Sequence, residues 1–249
     1  MSAIPLTSHL YSLSTSRPYS AATEHRFLTT AGNGTLSAEH VSLWLAQDRL
    51  YAAHAYPRFI GLLLASVPFS SRHPLASPQE ALHKRIVALA SYALTNVVRE
   101  VNFFGDTAKQ FGLDLGAWKE RKETRDYTAE MIRVGATGSV EDMLVFLWAM
   151  ERVYLDAWKY VRSTASSTAN VKSSNANDAI RSFVDNWTNA EFEKFVDDLA
   201  ALVDALDIKP GSEAWLRAEE IWGRVVELEE CFWPQCTEEE LTALSVKQK

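Results

Sequence analysis

Ser139-Val-Glu-Asp-Met-Leu-Val-Phe-Leu-Trp-Ala-Met-Glu-Arg-Val-Tyr-Leu-Asp-Ala-Trp-Lys-Tyr-Val-Arg162 contains no glycine and no proline, and its apolar residues recur at helical spacing. Its first residue, Ser139, has a hydroxyl suited to cap the free N–H groups of a first helical turn. Nowhere does it alternate polar and apolar residues as a half-buried strand would. The spacing predicts one helix from Ser139 through Arg162.

The chain on either side reads the same way. Only 10 Gly and 8 Pro interrupt 249 residues, and the stretches between them are rich in Ala, Leu, Glu, Lys and Arg. Ser37, after Asn33-Gly-Thr-Leu36, can cap a helix running to about Ser66. Ser77-Pro78-Gln-Glu80 puts proline at the first helical position and glutamate at the third, the pattern of a capping box, and that helix can continue to about Gln110. Thr237-Glu-Glu-Glu240 caps a short C-terminal helix, and Gly34, Gly112, Gly138 and Gly211 lie at breaks. The fold class is all-α. Residues 163–177, STASSTANVKSSNAN, are polar and predict a mobile surface loop. We read it as an insertion between helices of a single domain spanning 1–249, because the flanking helices are too few for two cores.

Composition narrows the function. The 47% of hydrophobic residues supports a sizeable core. The net charge of −7, without a Lys/Arg cluster, argues against nucleic acid or an anionic membrane as partner. No apolar run approaches the ~20 residues that span a bilayer. The N-terminus lacks a secretory pattern, and its first 25 residues hold one arginine, Arg17. Cys231 and Cys236 are the only cysteines, too few for a disulfide framework, and a reducing cytoplasm is the simplest setting.

Three segments pair an acid with an aromatic three residues on: Asp48-Arg-Leu-Tyr51, Glu151-Arg-Val-Tyr154 and Glu229-Glu-Cys-Phe232. On a helix each pair shares a face. Seven such pairs occur in the chain, so the spacing alone also fits surface acids beside core aromatics. The apolar surroundings separate these three. Asp48 sits among Trp44, Leu45, Ala52, Ala53 and Ala55, where a carboxyl can hold the amidine-like edge of a heterocycle or pair with an arginine of another helix. Glu151 lies within the apolar run Met143–Trp158, where burial raises its pKa and suits it to acid/base work; an ion pair with Arg152 is the competing account. Glu229 shares a face with Phe232 and Trp233. Aromatic walls with convergent acids make a pocket for a small, flat, nitrogen-bearing ligand.

Other chemistries have weaker support. Glu80-x-x-His83 has the spacing of half a di-iron site, but the second half is missing, so we expect no metal. His25 and His54 are the candidates for a haem ligand. Neither a Gly-x-Ser-x-Gly elbow, a P-loop nor a dinucleotide fingerprint occurs, and no cofactor is expected.

Taken in order, Asn33-Gly34-Thr35-Leu36, Gln47-Asp48-x-x-Tyr51, Tyr127, Tyr154 and Glu229-x-x-Phe232-Trp233 resemble the TenA proteins, from about Phe27 to Trp233. The resemblance implies a haem-oxygenase-like helical bundle and a homo-oligomer, dimer or tetramer. It implies hydrolysis of 4-amino-5-aminomethyl-2-methylpyrimidine in thiamin salvage; some members cleave thiamin. The family's usual nucleophile is a cysteine four residues before a tyrosine, and here that position is Met150, which supplies no thiolate. Glu151 follows it, so the chain looks like the cysteine-less subgroup, whose plant members are associated with removing a formyl group and then the amine. On this reading Asp48 binds the ring, Tyr51, Tyr127, Tyr154 and Phe232 wall it, Glu229 protonates the leaving nitrogen, and Glu151, or Glu229 acting alternately as base and acid, activates water. Cys231 is no substitute, since two residues turn it about 200° from Glu229 around the helix. The alternatives are an oxidase or oxygenase on the same fold, or a non-catalytic binding or regulatory protein.

Overall fold

Side-chain caps set where the helices begin. The computed structural model describes residues 4–68, 70–168 and 173–246. Within them Ser37 accepts from the His40 N–H, Ser77 from Glu80, Ser139 from Asp142 and Thr237 from Glu240. The chain then runs through α1 (Leu6–Ser12), α2 (Tyr19–Thr23), α3 (Arg26–Gly32) and α4 (Ala38–Leu50). A π turn, Tyr51–Ala55, joins α4 to α5 (Tyr56–Ser66). Next come α6 (Pro78–Phe111), a 3-10 turn at Leu115–Ala117, α7 (Lys122–Thr137) and α8 (Val140–Ser167). The last are α9 (Asn175–Trp187), α10 (Ala190–Asp204), α11 (Glu213–Phe232) and α12 (Glu238–Leu244). The described residues form no strand; one isolated bridge, Trp118 to Ser245, ties the C-terminal segment to the 3-10 turn.

Three boundaries differ from the sequence reading, each for a local reason. The helix expected from Ser37 to Ser66 is broken by the π turn. The helix opened at Ser139 passes Arg162 and ends at Ser167. In its polar tail Ser166, Ser167 and Thr168 turn their hydroxyls back onto carbonyls four residues earlier, at Arg162, Ser163 and Thr164. With α9 starting at Asn175, the connection is shorter than the 163–177 loop read from composition, and 169–172 lie outside the described residues. At Ser77 the box is incomplete: Glu80 accepts from the Ala76 N–H, not from that of the cap itself. The full reciprocal box forms at Ser139 and Asp142.

Helix α8 is the hub, with α3, α10 and α11 packed against it. Its run from Met143 to Met150 is buried all round, as a central helix should be. Close approach to α3 needs Gly32, where a Cβ would lie 2.6 Å from Thr164 Cβ. One hydrophobic core reaches from Leu6 to Trp233. Its densest part is aromatic: Trp44 meets Phe183 edge-on at 5.0 Å, and Trp158 and Trp187 centroids are 5.0 Å apart. The candidate site is a hollow beside this cluster. No described helix is long and apolar enough to cross a membrane.

Candidate active site

Asp48 lies in the last turn of α4, and Tyr51 opens the π turn. The Tyr56 N–H donates to the Tyr51 carbonyl, five residues back. On an α-helix five residues set side chains about 140° apart. The wider turn instead brings Tyr51 and Tyr56 to one wall, with ring centroids 6.1 Å apart. Pro57 follows at once; it has no N–H to donate, and its ring opposes a regular turn before it. Wide turns of this kind recur where a helix must aim side chains at a ligand.

Next to Asp48, buried Gln47 fixes the frame. Its Oε1 accepts from the Arg121 N–H at 2.8 Å and the Thr124 hydroxyl at 2.9 Å, and its Nε2 donates to the Lys119 carbonyl at 3.1 Å. Arg121 in turn donates to the Phe232 carbonyl at 2.6 Å, closing the C-terminus of α11 with a positive charge. This network holds α4, α7 and α11 in register. Asp48, Tyr127 and Glu229, one on each, therefore face one another across a cavity.

The cavity has a volume of about 40 Å³. Each of three acids on its wall takes a tyrosine hydroxyl from a different helix. Tyr154 donates to Asp48 Oδ2 at 2.9 Å, Tyr56 to Glu151 Oε1 at 2.5 Å and Tyr127 to Glu229 Oε1 at 2.5 Å. Tyr51 donates to the Met150 sulfur at 3.2 Å. A fourth acid, Glu100 of α6, accepts from the Trp187 indole N–H at 2.8 Å.

Neither lysine, arginine nor histidine lines this cavity among the described residues. Burial is therefore the main influence on the acids, and the neighbouring carboxyls add to it. It pushes Asp48, Glu151 and Glu229 up to about 8 against the tyrosine bonds that pull them down. The same burial raises Tyr51, Tyr56, Tyr127 and Tyr154 well above the usual phenol range, so all four stay protonated donors. Acids that titrate near 8 can serve as proton donor or acceptor at physiological pH.

These shifts have a consequence for stability. Glu151 and Glu229 rise from 4.5 to about 8 on folding, so the folded state binds more protons across that window. Their contribution is fully present below the lower value and lost as pH rises through the upper one. The thermal midpoint should fall from pH about 5 to about 8, and fall less steeply in Glu229→Gln, which loses one titrating group. Equal slopes in the two proteins would contradict the placement of Glu229.

All seven residues singled out from the sequence, Asp48, Tyr51, Tyr127, Glu151, Tyr154, Glu229 and Phe232, line this one cavity. The competing ion pairs are not made: Arg152 forks onto Asp156 at 2.8 and 3.0 Å, and Asp48 takes the Tyr154 hydroxyl. Cys231 is not on the cavity wall, and burial raises its thiol pKa. Neighbouring Glu230 pairs with Arg17 at 2.6 Å. Glu80 pairs with Lys84, and His83 meets His73. No three His, Cys, Asp or Glu side chains among the described residues are placed to hold a metal ion. His25 caps α3 through Nδ1 at 3.1 Å, and His54 opens onto an outer groove.

The sequence reading missed Tyr56, Glu100, Phe104 and Trp187, all on the cavity wall. For Tyr56 the available signal was Pro57 inside an expected helix. For Glu100 it was Val97, Glu100 and Phe104, an acid between apolar residues on one face of α6.

The TENA/THI-4/PQQC family profile matches residues 14–239. A Glycine max protein described as "Probable bifunctional TENA-E protein" is 20% identical over 216 residues, 86% of each chain. A Fusarium pseudograminearum protein described as "Probable transcription factor" is 25% identical over 214 residues, and the match covers 74% of this chain but 42% of that protein. The chain thus spans less than half the length of that relative. Among solved structures, a TenA family transcription regulator from a Silicibacter species superposes with a TM-score of 0.73, covering 95% of this chain and 96% of its own, at 21% identity.

Proposed function

We propose that this chain, which belongs to the TENA/THI-4/PQQC family, hydrolyses thiamin-derived aminopyrimidines in cytoplasmic thiamin salvage. Its substrates are 4-amino-5-aminomethyl-2-methylpyrimidine and its N-formyl derivative. One juxtaposition carries the reading. Met150 faces the cavity where the family's usual cysteine would stand, and Glu151 and Glu229 line the same small space, each bonded to a tyrosine. A thioether offers no nucleophile, so water attacks directly.

Asp48 titrates near 8, so at neutral pH it is largely the neutral acid. A protonated carboxyl presents one donor and one acceptor side by side, matching a ring nitrogen and its neighbouring amino group. The tyrosines and Phe232 hold the ring. In the fraction of molecules whose Glu151 is ionised, it takes a proton from water; the water oxygen bonds to the reacting carbon and the carbon–nitrogen bond breaks. Glu229, protonated, gives its proton to the leaving nitrogen of the formamide; the free amine arrives as its ammonium and already carries that proton, which Glu229 holds in place. From the formamide the products are formate and the amine; from the amine they are the alcohol and ammonia.

An acid and a base that both titrate near 8 require a bell. The plot of kcat/KM against pH should rise and fall around pH 8, with two apparent pKa values belonging to the carboxyl pair. Glu151→Gln should remove one limb. A flat profile between pH 6 and pH 10 would contradict acid/base work by these groups.

A second reading is favoured by the names of two relatives, a transcription factor and a transcription regulator. It makes the cavity a ligand sensor, and it predicts pyrimidine binding without turnover.

A further inference from the structure

Glu100 is the acid in the cavity that the hydrolytic scheme leaves unused. It sits about two-thirds of the way along α6, between Val97 and Phe104, partly buried and facing the hollow. Its donors differ in kind from those of the other three acids. A tyrosine hydroxyl can donate or accept, so Asp48, Glu151 and Glu229 are satisfied charged or neutral. The partners of Glu100 Oε1 are the Trp187 indole N–H at 2.8 Å and the Asn186 amide at 3.5 Å, which can only donate to it. Both bonds favour the ionised form. Burial raises the pKa of Glu100 against these bonds, to about 7.

The surroundings supply no countercharge inside the hollow. Asp48 and Glu151 are the charged groups facing Glu100 from α4 and α8, and both are acids. Arg99, its neighbour on α6, is more than half exposed and reaches Glu191 at 3.6 Å and Asn96 at 2.6 Å; its charge and the Asn96 side chain favour the ionised form of Glu100 from outside the hollow. A cavity walled by aromatics, with a carboxyl whose hydrogen-bond partners can only donate to it, favours a ligand that brings a positive charge.

We propose that Glu100 is a specificity-determining residue: held as a carboxylate by Trp187 and Asn186, it selects substrates bearing an ammonium group over neutral ones of the same shape. The inference rests on the hydrolase reading of the site. It gives the two substrates different standing. The N-formyl compound is a neutral amide, whereas the amine it yields is a cation at neutral pH. Glu100 thus retains the product of the first hydrolysis as substrate for the second. Two unit charges roughly 8 Å apart in a partly screened interior attract enough to shift an equilibrium on the order of tenfold.

The test is the ratio of kcat/KM for the free amine to that for the N-formyl compound, in wild type, Glu100→Gln and Glu100→Asp. Glutamine keeps the oxygen that accepts from Trp187 and removes the charge. The ratio should drop about tenfold in Glu100→Gln and stay within about threefold of wild type in Glu100→Asp, which keeps the charge. A merely structural role would lower both substrates together and leave the ratio unmoved, and that result overturns the proposal. If wild type converts neither compound, the hydrolase reading fails by itself. The same ratio, read as Kd by calorimetry, then decides the role of Glu100: a preference for the amine that Glu100→Gln abolishes supports it, and equal affinities overturn it.

Discussion

Glu229→Gln should lower kcat on the N-formyl pyrimidine by about 10²–10⁴-fold while leaving the fold intact, and lower it less on the free amine, whose nitrogen arrives protonated. Glutamine has nearly the shape of glutamate, and its carbonyl oxygen can still accept from Tyr127, so the wall between α7 and α11 stays closed. What disappears is the proton. Without it the leaving nitrogen departs unprotonated, a penalty felt only in the transition state. Both kcat and kcat/KM should therefore fall together, with KM little changed. The variant should be no less stable than wild type above pH 8, because a buried carboxyl pushed up to about 8 is replaced by a neutral amide. Turnover at the wild-type rate would remove Glu229 from the mechanism. Lost activity with a lowered thermal midpoint would show that its role is structural.

The second large effect concerns Asp48, where two substitutions should part company. Asp48→Leu removes donor and acceptor together and leaves the Tyr154 hydroxyl facing an apolar chain. Affinity for the pyrimidine should fall roughly tenfold to a hundredfold, the worth of a bidentate hydrogen-bonded pair. Asp48→Asn should cost only a few-fold, because an amide also sets one donor beside one acceptor. The contrast follows from the neutral state of Asp48. Were it to act as an anion, asparagine would be nearly as damaging as leucine. Calorimetric titration of both variants with the free amine separates the cases, and equal losses would contradict a neutral Asp48.

The parts of this site written along one helix were legible in the sequence. The caps at Ser37, Ser77, Ser139 and Thr237 stand at observed helix starts, because each is a local exchange between a side chain and the next turn. The faces of Asp48, Glu151 and Glu229 followed from spacing and from their apolar flanks. Pairing across helices was not legible. Tyr56 on Glu151, Tyr127 on Glu229 and Tyr154 on Asp48 join residues 95, 102 and 106 positions apart. Nothing in a period of 3.6 specifies such partners. Tyr56 was lost for a second reason: a regular helix carried through Pro57 points it away, and only the π turn brings it round. Glu100 was passed over because its face on α6 reads as one more acid on a long amphipathic helix. Composition also misjudged the Ser/Thr-rich tail of α8, whose hydroxyls bond back to their own helix.

Direct attack by water, with carboxyls where a thiolate would act, is tested most directly by product release. Metal-free protein should be given the N-formyl aminomethylpyrimidine, the free amine and thiamin separately, and the products identified by mass spectrometry. Hydrolysis through Glu151 and Glu229 predicts the hydroxymethylpyrimidine from the first two and intact thiamin from the third. Efficient cleavage of thiamin, or no conversion of either pyrimidine, would contradict it.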